Sequence, residues 1–160
     1  VKHGLRALFN NFGSQLYPDV RAYTEHPVVE LGHGVGPFYK SSDEAKALVW
    51  LRAFLLREEG DVLHLAEGAP EAWLAAGQHL SVSRMASFFG AVSYRVQAGA
   101  NEVTVQVEAP ARRAPRELVV HLRRPGLKAV TVNGQPVADY AGGAVRIAAP
   151  SGTLEIKAQY

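Results

Sequence analysis

Val92-Ser93-Tyr94-Arg95-Val96 and Val103-Thr104-Val105-Gln106-Val107 decide the fold class. In both stretches apolar and polar side chains alternate one by one. A pleated backbone with that pattern turns one side to a core and the other to water. The same period runs through Leu80/Val82, Leu118/Val120/Leu122, Val130/Val132, Val145/Ile147 and Leu154/Ile156/Ala158, with His121, Glu155 and Lys157 among the polar partners. Upstream, Leu63 and Leu65 alternate around His64, and Asn133-Gly134 has the composition of a two-residue hairpin turn. About eight short strands, each with one buried and one wet face, predict an antiparallel β-sandwich over residues 61–160.

Working back toward the start, the period changes. Leu5, Leu8, Phe9, Phe12 and Leu16 recur at three- and four-residue spacing and predict a helix over residues 1–17 that ends at Pro18-Asp19. Residues 18–41, with Pro27, Gly32, Gly34, Gly36 and Pro37, read as an irregular but ordered connection. A second helix is expected over 42–59. Ser41 and Glu44 have capping-box spacing at its start, and Gly60 fits the left-handed stop. Its interior, Ala47-Leu48-Val49-Trp50-Leu51 and Ala53-Phe54-Leu55-Leu56, is apolar almost all round. Such a helix needs protein on most sides, so further helices or another subunit are expected to cover it. A short helix follows Pro70. The whole is α+β: a helical segment over 1–60, then the β-sandwich.

Composition narrows the function classes. A 48% hydrophobic and 20% charged content fits a folded globular chain rather than a disordered one. The net charge is only +2, and the densest basic group (Arg112, Arg113, Arg116, Arg123 and Arg124) flanks one predicted strand without interleaved aromatics. Nucleic acid is therefore not an expected partner. There is no cysteine, which removes disulfides and thiolate chemistry. No apolar run reaches the length of a membrane-spanning helix, so a membrane is not an expected partner either. The opening Val1-Lys2-His3 enters a helical pattern without an initiator Met, as expected of a processed or excised piece.

An ordered set of motifs links the two segments. His26-Pro27, Gly32-His33-Gly34 and Gly36-Pro37-Phe38-Tyr39-Lys40-Ser41-Ser42-Asp43-Glu44 come first. The apolar helix ending Arg57-Glu58-Glu59-Gly60-Asp61 follows. Then come Pro70-Glu71-Ala72-Trp73-Leu74, Phe89-Gly90-Ala91-Val92-Ser93-Tyr94, the strand Leu118 to Pro125, and Val130-Thr131-Val132-Asn133-Gly134. Over residues 20–160 this set resembles the C-terminal region of large bacterial glycoside-hydrolase-like proteins built on an (α/α)6 toroid. The resemblance implies that residues 1–60 are the last toroid helices and that the β-sandwich follows them. It also implies that carbohydrate is met through the complete enzyme. A full toroid holds many more helices than this sequence supplies, so the catalytic centre is expected mostly upstream. A non-catalytic β-sandwich module for carbohydrate binding, domain packing or oligomer contact is the alternative.

Glycosidases use two carboxyl groups flanking the scissile bond. Glu25, Glu30, Asp43 and Glu44 lie in or beside the 18–44 segment, the expected rim of a sugar cleft. Asp43 and Glu44 are first accounted for by helix capping and the helix dipole. His26, His33 and Lys40 are the candidate substrate contacts, able to bind sugar hydroxyls or a uronic-acid carboxylate. His33 sits between two glycines, where backbone can approach a ligand closely. The Gly32-x-Gly34-x-Gly36 run is neither a phosphate loop nor a dinucleotide fingerprint. The six histidines show no metal-ligand spacing and there is no nucleophile elbow, so neither metal nor cofactor is expected.

Overall fold

In a computed structural model of the protein, residues 2–17, 22–23, 26–28, 33–35 and 41–160 are described. They fall into two compact units, Val1–Ala53 and Phe54–Tyr160. Among the described residues no helix is long and apolar enough to cross a membrane.

The first unit opens with α1 (Lys2–Gln15), which buries Leu8 and leaves Phe9 largely exposed. The helix expected over 1–17 stops at Gln15, because Leu16–Tyr17 pairs as a strand, and the segment expected to be irregular contains short strands. β1 (Leu16–Tyr17) pairs with β2 (Ala22–Tyr23), and β3 (His26–Val28) pairs with β4 (His33–Val35), both antiparallel. Helix α2 (Ser41–Leu55) starts where the Ser41 signal put it but ends earlier than the expected Glu59. The reason is pairing. Leu56–Glu59 is strand β5, and Leu56 stands opposite Leu65 as a fully buried core residue. The segment Leu-Arg-Glu-Glu has good intrinsic helix formers, and sheet hydrogen bonds with burial override that preference.

In the second unit β5 is followed by β6 (Val62–Leu65), a 3-10 turn over Glu71–Leu74, β7 (His79–Ser87), β8 (Gly90–Ala98), β9 (Glu102–Glu108), β10 (Glu117–His121), β11 (Ala129–Val132), β12 (Gln135–Pro136), β13 (Ala144–Ala148) and β14 (Thr153–Gln159). They form a four-stranded sheet in the order β13-β10-β6-β5 and a six-stranded sheet in the order β12-β11-β14-β9-β8-β7. The predicted alternation sorts the faces. Leu63, Leu65, Leu118, Val120 and Val145 from one sheet share a single core with Val92, Val96, Val105, Val107 and Ile156 from the other. The chain is thus α+β, dominated by a β-sandwich. Asn133 and Gly134 both take positive φ, +50° and +78°, as a two-residue turn between β11 and β12 requires.

One pairing departs from the antiparallel expectation. β6 and β10 run parallel, with Leu63 opposite Leu118 and Leu65 opposite Val120. Parallel neighbours need a long crossover, and β7, β8 and β9 are that crossover. Three of the five arginines in the dense basic group make internal contacts. Arg113 pairs with Asp61 and lies over the Phe89 ring, Arg123 donates to the Glu67 carbonyl, and Arg124 donates to the Gly99 and Ala100 carbonyls while covering Tyr160.

The junction after β6 is tight. The Gly68 N–H donates to the Phe54 carbonyl at 3.0 Å, and a Cβ on Gly68 would sit 2.6 Å from the Phe54 Cα and 2.4 Å from its ring. Backbone in that position cannot yield cheaply. Gly68→Ala should therefore destabilise the protein by about 1–3 kcal/mol, the usual cost of overpacking. The check is the urea midpoint of Gly68→Ala against wild type at equal m-value; an unchanged midpoint would show that the contact relaxes freely.

Candidate functional site

The β3–β4 register sets Val28 opposite His33 and His26 opposite Val35, so both histidines belong to one short ladder. The side chains of His26, His33 and Asp43 lie outside the described residues, as do Glu25, Glu30 and Lys40 altogether. Glu44 is in the first turn of α2 with a half-buried side chain.

Among the described residues, the densest group of chemistry-bearing side chains lies on the outer face of the four-stranded sheet. Leu63 and Leu65 face the core, so His64 between them faces out; the same alternation on β10 turns Val119 and His121 out. Parallel pairing sets His64 beside Val119, one step from His121. The His64 Nδ1 and His121 Nε2 atoms come to 3.0 Å. The ring centroids are 5.3 Å apart. That separation exceeds the N···N distance by about two ring radii, so the two nitrogens point at each other along a line. The rings meet end to end in a hydrogen bond rather than stacking face to face.

Charged neighbours surround the pair. Arg57 on β5 grips Glu67 with two parallel bonds, Nε to Oε2 at 2.5 Å and Nη2 to Oε1 at 3.1 Å, and reaches Glu59 Oε2 at 2.9 Å. This fork-to-carboxylate geometry is the strong form of such a bond. It holds the Glu67 carboxyl below its ordinary range, against the opposing effect of burial, and raises Arg57 further. Glu59 Oε2 also lies 3.6 Å from His64 Nε2. A carboxylate beside Nε2 favours a proton there, which makes Nδ1 the acceptor. In that tautomer the bond runs from the His121 Nε2–H to the His64 Nδ1.

Burial pushes both imidazoles toward the neutral form, His121 down to about 4. His64 is only 8% exposed. Ligand atoms of His64, Glu67 and His121 all lie within 4.8 Å of one another, a spacing a divalent cation could use. Geometry points elsewhere. Two nitrogens aimed at each other along one line share a proton, whereas metal ligands turn their lone pairs toward a common point off that line. Both Glu67 oxygens are also already bonded to a guanidinium. Nor is Glu67 poised as a glycosidase acid, which requires a raised pKa rather than a depressed one. The cluster is a satisfied polar network that ties β5, β6 and β10 together. The outward phase of both histidines is legible in the alternation; their meeting across 57 residues is not.

No protein-family model and no curated protein matches the sequence. Among solved structures the chain is similar to an α-L-rhamnosidase from Dictyoglumus thermophilum, with 12% identity and a TM-score of 0.42. The match covers 71% of this chain and 13% of that one, so the chain spans about an eighth of that protein's length. A likeness this distant carries neither the fold nor the function argued here.

Buried neutral imidazoles make stability depend on pH. The folded protein holds His121 near 4, while the unfolded chain protonates it near 6.5. Between those values the unfolded state binds more protons, so stability falls as the pH drops through that window. The gap alone corresponds to about 3 kcal/mol, and solvent screening of a partly exposed ring reduces the expected loss to about 2 kcal/mol. Glu67 acts with the same sign lower down: its lowered value gives stability present above 4.5 and lost on further acidification. His121→Gln, which retains a donor but does not titrate, should flatten the slope between pH 6.5 and 4 in urea melts. An unaltered slope would mean that the pair is not what titrates.

Proposed function

We propose that this chain is the β-sandwich end of a larger carbohydrate-active protein, a glycoside hydrolase whose catalytic centre lies mostly upstream. The β unit serves as a packing module on that enzyme. The observation that carries the reading is the surface of α2. Leu48, Val49 and Trp50 are 67%, 61% and 45% exposed on consecutive positions. Fully burying such a side chain is worth about 1.5–3 kcal/mol, so a folded chain gains by covering all of them. The ordered motif set of residues 20–160 supplies the cover by resemblance: further toroid helices, or another subunit. The β unit itself supports a non-catalytic role. Its polar cluster is internally satisfied, and its few aromatics are poorly placed to stack on sugar: Phe89 and Tyr94 are buried. Tyr140 is hydrogen-bonded to the Lys128 carbonyl and Tyr160 is capped by Arg124, leaving Phe88 open on a hairpin tip.

Two outcomes are expected. The purified chain should turn over no aryl glycoside, because a hydrolytic site needs carboxyl groups on both sides of the bond. A longer product that includes the preceding helices should be active. Robust turnover by the chain alone would overturn the reading, as would a well-folded longer product inert on a broad glycoside panel. Leu48→Glu with Val49→Glu should weaken association with the preceding helical segment, supplied as a separate polypeptide, by at least about tenfold. The melting temperature of the β unit should not change. Undiminished association would place the contact elsewhere.

A further inference from the structure

The outer face of the six-stranded sheet differs in kind from that of its partner. Register lays its side chains in cross-strand rows. One row runs Thr153, Glu108, Ser93 across β14, β9 and β8; the next runs Glu155, Gln106, Arg95, Ser81 out to β7. Where the first row should reach β7, the strand bulges. Val82 pairs with Tyr94 and Met85 with Val92, so Ser83 and Arg84 together face Ser93 alone. The bulge interrupts the edge strand beside these rows, and its residues help line a groove of about 590 Å³. That volume falls within the roughly 300–1,000 Å³ of small-ligand sites.

Arg84 is held in the bulge at φ +49°, a left-handed conformation costly for a residue with a Cβ, and its N–H donates to the Ser93 Oγ at 3.1 Å. Strain of this kind gathers where a side chain must be aimed at something. Arg57, Arg113 and Arg146 all form ion pairs, whereas Arg84 and Arg95 form none among the described residues. Glu108, the carboxylate lining the groove, makes none either, which leaves the groove net positive. The remaining polar lining is mostly hydroxyl and amide: Ser81, Ser83, Ser93, Thr153 and Gln106.

We propose that this groove binds a carboxylate-bearing saccharide. Arg84 and Arg95 take the uronate carboxylate, and the hydroxyl, amide and Glu108 groups exchange hydrogen bonds with the sugar hydroxyls. The guanidinium fork matches a planar carboxylate, and the hydroxyl and amide groups of the lining match a polyhydroxylated ring. The inference rests on the carbohydrate reading above and gives it a substrate class. A phosphate or a neutral sugar would use only half of the lining.

The test is a ¹⁵N NMR titration of the whole chain with an oligogalacturonate, a neutral oligosaccharide of the same length, and inorganic sulfate. The oligogalacturonate should shift amides of β7, β8 and β9 around Ser93 and Arg95 and bind at least about tenfold more tightly than either comparator. Arg95→Ala should weaken it about tenfold or more. Arg84→Gly is the sharper variant: it relieves the left-handed strain, so the melting temperature should rise while binding falls. Equal affinity for the neutral sugar, or sulfate binding with the oligogalacturonate silent, would overturn the assignment of ligand. Undiminished binding by Arg84→Gly would overturn the role of the bulge. Silence toward all three would remove the site and leave the catalytic reading standing, since that rests on turnover by the longer product.

Discussion

The parallel pairing of β6 with β10 is the constraint on which the β unit depends. It joins residues about 55 positions apart, and closing so long a loop costs entropy that local contacts cannot return. What offsets it is burial. Leu63 beside Leu118 and Leu65 beside Val120 form an unbroken apolar strip on the inner face, and the six-stranded sheet closes over it with Val92, Val96, Val105 and Ile156. Without that strip β5 and β6 would be an isolated hairpin. Such hairpins are marginal in water. Because side chains alternate with period two, the register that buries Leu63 and Leu65 necessarily turns His64 outward. The histidine pair is thus a by-product of the core register, made harmless by a hydrogen bond and a ring of charges.

The two outer sheet faces handle polarity in opposite ways. On the four-stranded sheet every charge near the histidines has a partner: Arg57 holds Glu67 and Glu59, and Arg146 meets Glu117. On the six-stranded sheet Arg84, Arg95 and Glu108 are left open to water. A face whose charges are already matched has little left to offer a ligand. A face whose charges are unmatched has paid nothing in advance to desolvate them, and it can still exchange water for a complementary partner.

Strands were legible wherever alternation was long. Val92–Val96, Val103–Val107 and Leu154–Ala158 show it without interruption, and Asn133-Gly134 announces its turn through the left-handed backbone that both positions adopt. Legibility fails where a residue's fate is set by a distant partner. Leu56–Glu59 has helical composition and continues a helical pattern, yet Leu65 draws it into the sheet. The parallel sense of β6 and β10 leaves no local trace, because each strand alternates as an antiparallel one would. The bulge at Ser83-Arg84 is silent for a different reason. A left-handed position is normally signalled by Gly or Asn, and here an arginine occupies it. The candidate contacts His26, His33 and Lys40 rested on glycine content and motif order, and the pairing of β3 with β4 shows how a proline- and glycine-rich stretch can still form a ladder.

Open sheet edges invite other chains to add a strand, and the bulged β7 bears on how this fold avoids aggregation. Among the described residues β7 and β12 bound the six-stranded sheet, and β5 and β13 bound the other. The irregularity between Val82 and Met85 breaks the straight row of free N–H and C=O groups that an incoming strand would need. β12 is only two residues long and ends in Pro136, which has no N–H to donate. β5 carries Arg57, Glu58 and Glu59 in succession, and an approaching copy would have to strip water from all of them. A feature that aims one arginine across a groove also makes its strand a poor template for cross-β growth, so the edge is guarded against self-templating by geometry as much as by charge.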